Sequence, residues 1–331
     1  MKKLNVAVIG VGYWGKKIVY EYSQLAKSNP NLNLYSVCDL SMKTLQLCNE
    51  NYDIPNVSSS LEEILSCREI DAVNICTPSE THFKISKAAL EEGKHVLVEK
   101  PMSLSSNEAY NLVDLALEKG LVISVGHIYR FNNAIKKIRC LIEEGYFGDI
   151  FNLKLQWTTF CPPLEGRDII TDLAPHPFDI LNFLLNDWPL RLSCKAKAYR
   201  MKDFEEVAYL TAEYKNDVIA HIELSWLLPG KIREINISGS KRFGKIDCLS
   251  QGISIFENGE FHNLPVEINN TIMDELTHFI NCIRAREQNR KSGTPKCQNR
   301  NGGLLGANVV SLLETARRSI ETDKTEYVKV R

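Results

Sequence analysis

Three glycines and one acid carry the first chemistry legible in this chain. Gly10, Gly12 and Gly15 follow an apolar run, Lys3 to Ile9, and precede a helix-like segment, Lys16 to Leu25. Between a strand and a helix, G-x-G-x-x-G binds a dinucleotide. Its first glycine makes the tight turn, its second lets a pyrophosphate approach the backbone, and its third lets helix pack closely on strand. The amides of the first helical turn and the helix dipole favour the phosphate charge, and Tyr13 and Trp14 stand within that turn. A second apolar strand, Asn33 to Cys38, ends on Asp39, at the distance past the glycines where a carboxylate meets a ribose hydroxyl. Asp39 therefore points to NAD. It repels a 2'-phosphate, although Lys43 is near enough in sequence to leave NADP open. The alternative is that the glycines only make a turn and Asp39 only caps the next helix.

The second signal is Asp172, Leu173, Ala174, Pro175, His176, Pro177, Phe178, Asp179. Asp172 and His176 are four apart and share a face wherever helix runs through both. The prolines are tolerated if regular helix begins near Pro175, which places Asp172 in the preceding turn. Two readings stay open: an acid and an imidazole converging on a site, or a helix cap beside a first-turn histidine.

Behind these residues lies an ordered set of elements. Through about residue 125 strand and helix alternate, which predicts a parallel sheet with right-handed crossovers. Strands are expected at Ala72 to Cys76, His95 to Val98 and Val122 to Val125, and helices at Leu40 to Tyr52, Leu61 to Ser66, Glu80 to Glu92 and Asn107 to Lys119. In such an open sheet ligands bind beyond the carboxyl ends of the strands. Those ends carry Gly10, Asp39, Thr77, Glu99 with Lys100, and Gly126 with His127. Pro101 biases Lys100 toward an extended backbone that sends its amine into a cleft.

After Gly126 the pattern changes to consecutive strands: Ile150 to Phe160, Leu192 to Tyr199, Glu206 to Tyr214, Val218 to Trp226, Arg233 to Ser238, Gly244 to Cys248 and Ile253 to Glu257. Short turns between them predict a wide antiparallel sheet with one face left for self-association. Helices are expected at Asn133 to Glu144, Pro175 to Leu185, Met273 to Arg286 and Leu304 to Ser319, with a mobile polar loop from Glu287 to Gly303. The expected fold is thus α/β: a doubly wound dinucleotide-binding domain over residues 1–125, and an α+β substrate-binding and oligomerisation domain over 126–331.

Composition excludes other classes. The 331 residues are 44% hydrophobic and 24% charged, as in soluble globular proteins. A net charge of -1 leaves no footprint for nucleic acid or an anionic membrane. No apolar run reaches spanning length, and Met1, Lys2, Lys3 enter a strand too soon for a signal peptide. Ten cysteines occur without a C-x-x-C. They predict a reducing cytoplasm, no disulfide framework and no metal site.

The glycine turn, Cys76 to His82 (C-T-P-S-E-T-H), the triplet Glu99, Lys100, Pro101, then Gly126, His127, Arg130, Phe131, and D-L-A-P-H at Asp172 to His176 together resemble the Gfo/Idh/MocA family of NAD(P)-dependent oxidoreductases. The resemblance implies a Rossmann half, an open-faced sheet half that assembles into dimers or tetramers, and oxidation of a secondary hydroxyl of a sugar, cyclitol or polyol. It implies that Lys100, Asp172 and His176 are catalytic. Thr77, Pro78, His82 and Glu99 match positions that contact cofactor, and His127 and Arg130 are expected at the substrate. Many relatives have a glycine run before the catalytic acid, where this chain reads Arg167, Asp168, Ile169, Ile170, Thr171. Hydride loss from a carbinol needs a base for the hydroxyl proton. His176, oriented by Asp172, fits that part and Lys100 stabilises the partial alkoxide, or Lys100 itself carries the proton.

Ser225 to Arg233, leading into Ser238, Gly239, Ser240, is similar to a subset of the family acting on nucleotide sugars, notably UDP-N-acetylglucosamine 3-dehydrogenases. Lys231 and Arg233, two apart on a strand, are either ligands of a diphosphate or ordinary solvated charges. The leading expectation is oxidation of the 3-hydroxyl of a nucleotide sugar. The others are a free-sugar or inositol dehydrogenase, a non-catalytic NAD-binding regulator, and a glycosidase that retains NAD.

Overall fold

The computed structural model describes residues 3–52, 54–163, 166–200, 202–292 and 298–331, leaving aside the side chains of 289–292. The chain divides into two compact units, Met1–His127 with Thr271–Ala307, and Ile128–Asn270 with Asn308–Arg331.

In the first unit β1 (Leu4–Ile9), α1 (Tyr13–Ser28), β2 (Leu32–Cys38), α2 (Met42–Tyr52), β3 (Asn56–Ser58), α3 (Leu61–Ser66), β4 (Ala72–Ile75), α4 (Ser79–Glu91), β5 (His95–Val98), α5 (Ser106–Lys119) and β6 (Ile123–Val125) alternate. The strands form one parallel sheet in the order β3-β2-β1-β4-β5-β6. β1, β4 and β5 are apolar and buried on both faces, as a parallel sheet covered by helices requires. The order reverses between β1 and β4, which fixes the ligand-binding end at the glycine turn. β3 is a sixth strand that sequence patterning misses. Its three residues, Asn56, Val57 and Ser58, are short of an apolar period and lie at the sheet edge.

The second unit is built on α6 (Asn133–Glu143), β7 (Ile150–Thr159), α7 (Ile169–Leu173), α8 (Pro175–Leu185), β8 (Arg191–Lys197), β9 (Val207–Glu213), β10 (Ile219–Ser225), β11 (Lys231–Gly239), β12 (Phe243–Asp247), β13 (Gly252–Glu257) and β14 (Glu260–Leu264). Its sheet runs β14-β13-β12-β11-β7-β10-β9-β8, antiparallel except where β10 lies parallel to β7. One face is a continuous core that takes Leu153, Leu155 and Trp157 from β7, Ile235 and Ile237 from β11 and Phe178 and Leu181 from α8. Along each strand the alternate residues, such as Lys154, His221 and Lys245, face outward and are exposed. β14 was not expected, since every residue in it but Leu264 is exposed.

α9 (Thr271–Ser292) belongs with the first unit, where Leu276, Phe279, Ile280 and Ile283 share a core with Ile18, Val19 and Tyr22 of α1. This return of the chain falls outside the sequence division at 125/126. α9 also runs past Arg286, where a loop was expected, because no glycine or proline interrupts Glu287 to Ser292. The part of that expected loop at 293–297 lies outside the described residues. Asn299 and Asn301 then line the free edge of β6: Asn299 Nδ2 donates to Ile123 O, and Asn301 Nδ2 to Val125 O at 2.8 Å. α10 (Gly303–Thr322) follows, and β15 (Glu326–Tyr327) pairs with β8 to complete nine strands. Among the described residues no helix is long and apolar enough to cross a membrane, and the nine described cysteines are free thiols.

Candidate active site

The first unit gathers the glycine turn, Asp39, Thr77, His82, Glu99 and Lys100 at the carboxyl ends of its strands. At Gly15 a Cβ would stand 1.9 Å from Gly10 O, so helix and turn pack as closely as only glycine permits. Gly12 differs: the space beside it is open, and as N-cap of α1 it has no side chain to occupy the amides of the first turn. No acid stands in that turn either. Open space beside Gly12 and the positive end of a sixteen-residue helix fit a diphosphate.

Asp39 holds this turn. Its Oδ2 accepts from the Val11 amide at 2.7 Å and its Oδ1 from the Ser41 amide at 2.8 Å, which leaves lone pairs for ribose hydroxyls. A carboxylate held in this way would suit a 2'-hydroxyl and oppose a 2'-phosphate. Asp39→Ala is expected to raise the Kd for NADH about tenfold and to narrow the preference over NADPH by a similar factor, measured by fluorescence titration. An unchanged preference would take Asp39 out of that role.

Glu99 is tied to the same turn, because the Trp14 indole Nε1 donates to its Oε1 at 2.6 Å. Its carboxyl lies against Gly126, where a Cβ would meet it at 2.7 Å. Burial raises the Glu99 pKa to about 7, opposed by the Trp14 hydrogen bond and by the charge of Lys100. Near neutral pH this group is divided between acid and carboxylate beside the lysine. His82 is almost fully buried, with Nδ1 2.7 Å from Pro101 O and Nε2 2.8 Å from Thr77 O. Both partners are acceptors, so only the doubly protonated ring donates to both. Burial lowers its pKa, against the two carbonyls, which raise it. His82 therefore ties the end of β4 to the residue after Lys100, and both of its ring nitrogens are engaged by backbone. His127 is buried at the start of the following turn.

In the second unit the helix expected from Pro175 to Leu185 is α8, and a short helix that was not expected, α7, precedes it. Helical backbone begins at Ile169, where Asp168 Oδ1 accepts from the Thr171 amide at 2.9 Å, and Ala174 keeps helical angles of φ -62 and ψ -27 between α7 and α8. Pro175 lacks the N–H that would bond Thr171 O, which splits one helical path into two. Asp172 and His176 thus lie one turn apart on helical backbone. Where relatives have glycines, Asp168 caps and also pairs with Arg317, which donates to Thr171 Oγ1.

Two expected substrate residues are engaged inside this unit. Arg130 Nε pairs with Asp179 Oδ1 at 2.6 Å, both buried, and its Nη2 donates to Asn182 Oδ1 at 2.7 Å. Arg233 is 6% exposed, and its Nη1 donates to Thr158 O at 2.8 Å and Ile232 O at 2.7 Å. Lys231, on the same face of β11, is exposed at the strand's start. Sequence reasoning missed Tyr129, which meets the His176 ring edge-to-face at 5.1 Å. Its place next to Arg130 in the quoted motif was the available signal.

A parallel six-stranded sheet with a reversal at an open glycine turn, an acid at the end of β2 and a lysine beyond β5 fit a dinucleotide-dependent oxidoreductase. Residues 4–127 match the oxidoreductase family with an NAD-binding Rossmann fold, and residues 135–243 match the GFO/IDH/MocA C-terminal domain. The chain belongs to the Gfo/Idh/MocA family, and NAD is its cofactor. A UDP-N-acetylglucosamine 3-dehydrogenase of Acidithiobacillus ferrooxidans is 28% identical over 265 residues, 78% of this chain and 79% of its own. A solved structure of that enzyme superposes with a TM-score of 0.82 at 24% identity, over 97% of this chain and 99% of its own. Levoglucosan dehydrogenase in complex with NADH gives 0.87 at 17% identity, over the whole of both chains. At these identities the structural likeness shows the fold.

Proposed function

We propose that this protein is an NAD-dependent sugar dehydrogenase that oxidises a secondary hydroxyl, with the 3-hydroxyl of a nucleotide sugar such as UDP-N-acetylglucosamine as its leading substrate. The observation that carries the reaction class is the joint presence of Lys100 beside Glu99 at the end of β5 and of Asp172 and His176 one turn apart on helical backbone. NAD+ bound at the glycine turn supplies a hydride acceptor. His176 takes the hydroxyl proton, Asp172 favours the resulting imidazolium, and the Lys100 ammonium donates to the oxygen as negative charge develops on it. Support for the nucleotide sugar comes from the relative's activity and from the segment Ser225 to Arg233. Burial of Arg233 favours the second reading, a free sugar or glycoside, because it leaves Lys231 as the exposed cation of that pair.

Self-association through the outward face of the nine-stranded sheet belongs to the same proposal, with Tyr209, Ile219, Phe256 and Phe261 exposed there, as does a cytoplasmic location. The test is NADH formation at 340 nm with UDP-N-acetylglucosamine, glucose, a simple glucoside and myo-inositol. The nucleotide sugar is expected to give a kcat/KM at least about a hundredfold above the others, on the scale of a few kcal/mol of diphosphate contacts. Turnover of unphosphorylated sugars alone would overturn that substrate and keep the reaction.

A further inference from the structure

Behind His176 the second unit builds a stack that the proposed chemistry does not use. Tyr129, in the 3-10 turn Ile128–Phe131, meets the His176 ring edge-to-face with centroids 5.1 Å apart, and on its other side meets Trp157 of β7 at 5.3 Å. The Arg233 guanidinium lies over the Trp157 ring at 5.8 Å and against the Tyr129 phenol. It also faces the charge of Asp172. These groups come from five separate elements, the 3-10 turn, α7, α8, β7 and β11; the Arg233 side chain is buried and Tyr129 is partly buried against the core. An arginine buried at such a cost, with its Nη1 held by two backbone carbonyls, is fixed in place rather than free to follow a ligand.

We propose that Tyr129 and Arg233 are positioning residues that fix the orientation of the His176 imidazole and set the local charge against which it titrates. The role in catalysis rests on His176 being the proton acceptor. The orientation follows from edge-to-face packing, which stabilises one ring plane over others. The charge follows from Coulomb's law in a dry setting: a buried cation opposes a second one on His176 and stabilises the carboxylate of Asp172. The charged and titratable groups around the cluster are Arg233, Asp172 and Tyr129, with Asp247 and Cys248 beside Tyr129, Cys161 beside Asp172, and Arg167 and Arg200 beside Cys161. Burial pushes the Tyr129 phenol above its ordinary range, so the tyrosine stays neutral; burial lowers the Arg233 pKa, but a guanidinium starts so far above neutral that it keeps its charge.

The sign is definite. Removing the Arg233 charge makes imidazolium easier to form, and it also leaves Asp172 less screened, which acts in the same direction. Arg233→Gln keeps an amide donor for the Thr158 and Ile232 carbonyls while losing the charge. In protein carrying isotope-labelled histidine, with the His176 signal assigned through His176→Asn, Arg233→Gln is expected to raise the His176 titration midpoint by about half a pH unit to one unit. Arg233→Lys is expected to hold it within about two tenths, and the acid limb of kcat/KM should move with the midpoint in both. Tyr129→Leu is expected to lower kcat about tenfold with KM changed less than twofold, and Tyr129→Phe, which keeps the ring, to restore most of it. An unmoved midpoint in folded Arg233→Gln, or equal losses in Tyr129→Leu and Tyr129→Phe, overturns the proposal. A midpoint that moves while the acid limb stays supports it and overturns His176 as proton acceptor, so the two readings fail separately.

Discussion

Lys100→Met is expected to lower kcat about a thousandfold, roughly 4 kcal/mol of transition-state stabilisation, while changing the Kd for NADH less than about threefold. Methionine keeps the length of the side chain and removes its charge and its donors. The size follows from where the charge is needed: as hydride leaves the carbinol carbon, the oxygen becomes alkoxide-like, and a fixed ammonium in a site of low dielectric is worth far more there than in water. The separation of kcat from cofactor binding follows from the fold. On the proposed reading the glycine turn, Asp39 and the first turn of α1 would hold the dinucleotide without Lys100, and Trp14 bonds Glu99 rather than the lysine. Stopped-flow reduction of NAD+ and fluorescence titration of NADH measure the two sides. Turnover at the wild-type rate would remove Lys100 from the reaction, and equal losses in turnover and NADH binding would make it a cofactor ligand only.

The first unit was almost fully legible in the sequence, because each of its signals is local. A tight turn needs glycine within six residues, a parallel strand buried on both faces needs an unbroken apolar run, and the ribose acid must end the second strand. What patterning missed there is non-local or short. β3 has three residues and no apolar period, and α9 returns to the core of α1 after more than a hundred intervening residues, which no local periodicity reports. The second unit shows the limit more sharply. Period-two alternation located Arg233 and Lys231 on one face of β11, but alternation gives a face and not its cover. Arg233 lies over the Trp157 ring and against the Tyr129 phenol, whereas Lys231 stands at the strand's exposed start. The prolines in D-L-A-P-H suggested a helix starting at Pro175, which is where α8 starts, but not the short helix before it, α7, which the Asp168 cap begins at Ile169 and which contains Asp172. Spacing put Asp172 and His176 within one turn of each other, and the family resemblance supplied their expected roles. The aromatic and cationic groups behind them came from elements too far apart in sequence to be grouped.

Arg130→Met is expected to cost about 3–5 kcal/mol of stability and to lower the melting temperature by roughly 10 °C, with little effect on the KM of any substrate. Arg130 and Asp179 are 6% and 1% exposed in their side chains, their contact is 2.6 Å, and the guanidinium also stacks 5.0 Å over the Phe183 ring. Removing the arginine strands the α8 carboxylate in a dry core, and the cost of an uncompensated charge there exceeds anything the pair itself contributes. The same logic sets the direction of the double variant. Arg130→Met with Asp179→Leu removes both charges, so it should melt above Arg130→Met alone, by about 2 kcal/mol or more. A substrate-binding arginine behaves in the opposite way, raising KM with the melting temperature unchanged and gaining nothing from loss of Asp179. Calorimetric melts of the two variants beside their Michaelis constants therefore decide whether the family motif's arginine serves the sugar or the core of the second unit, and the geometry of the pair with Asp179 and Asn182 places it in the core.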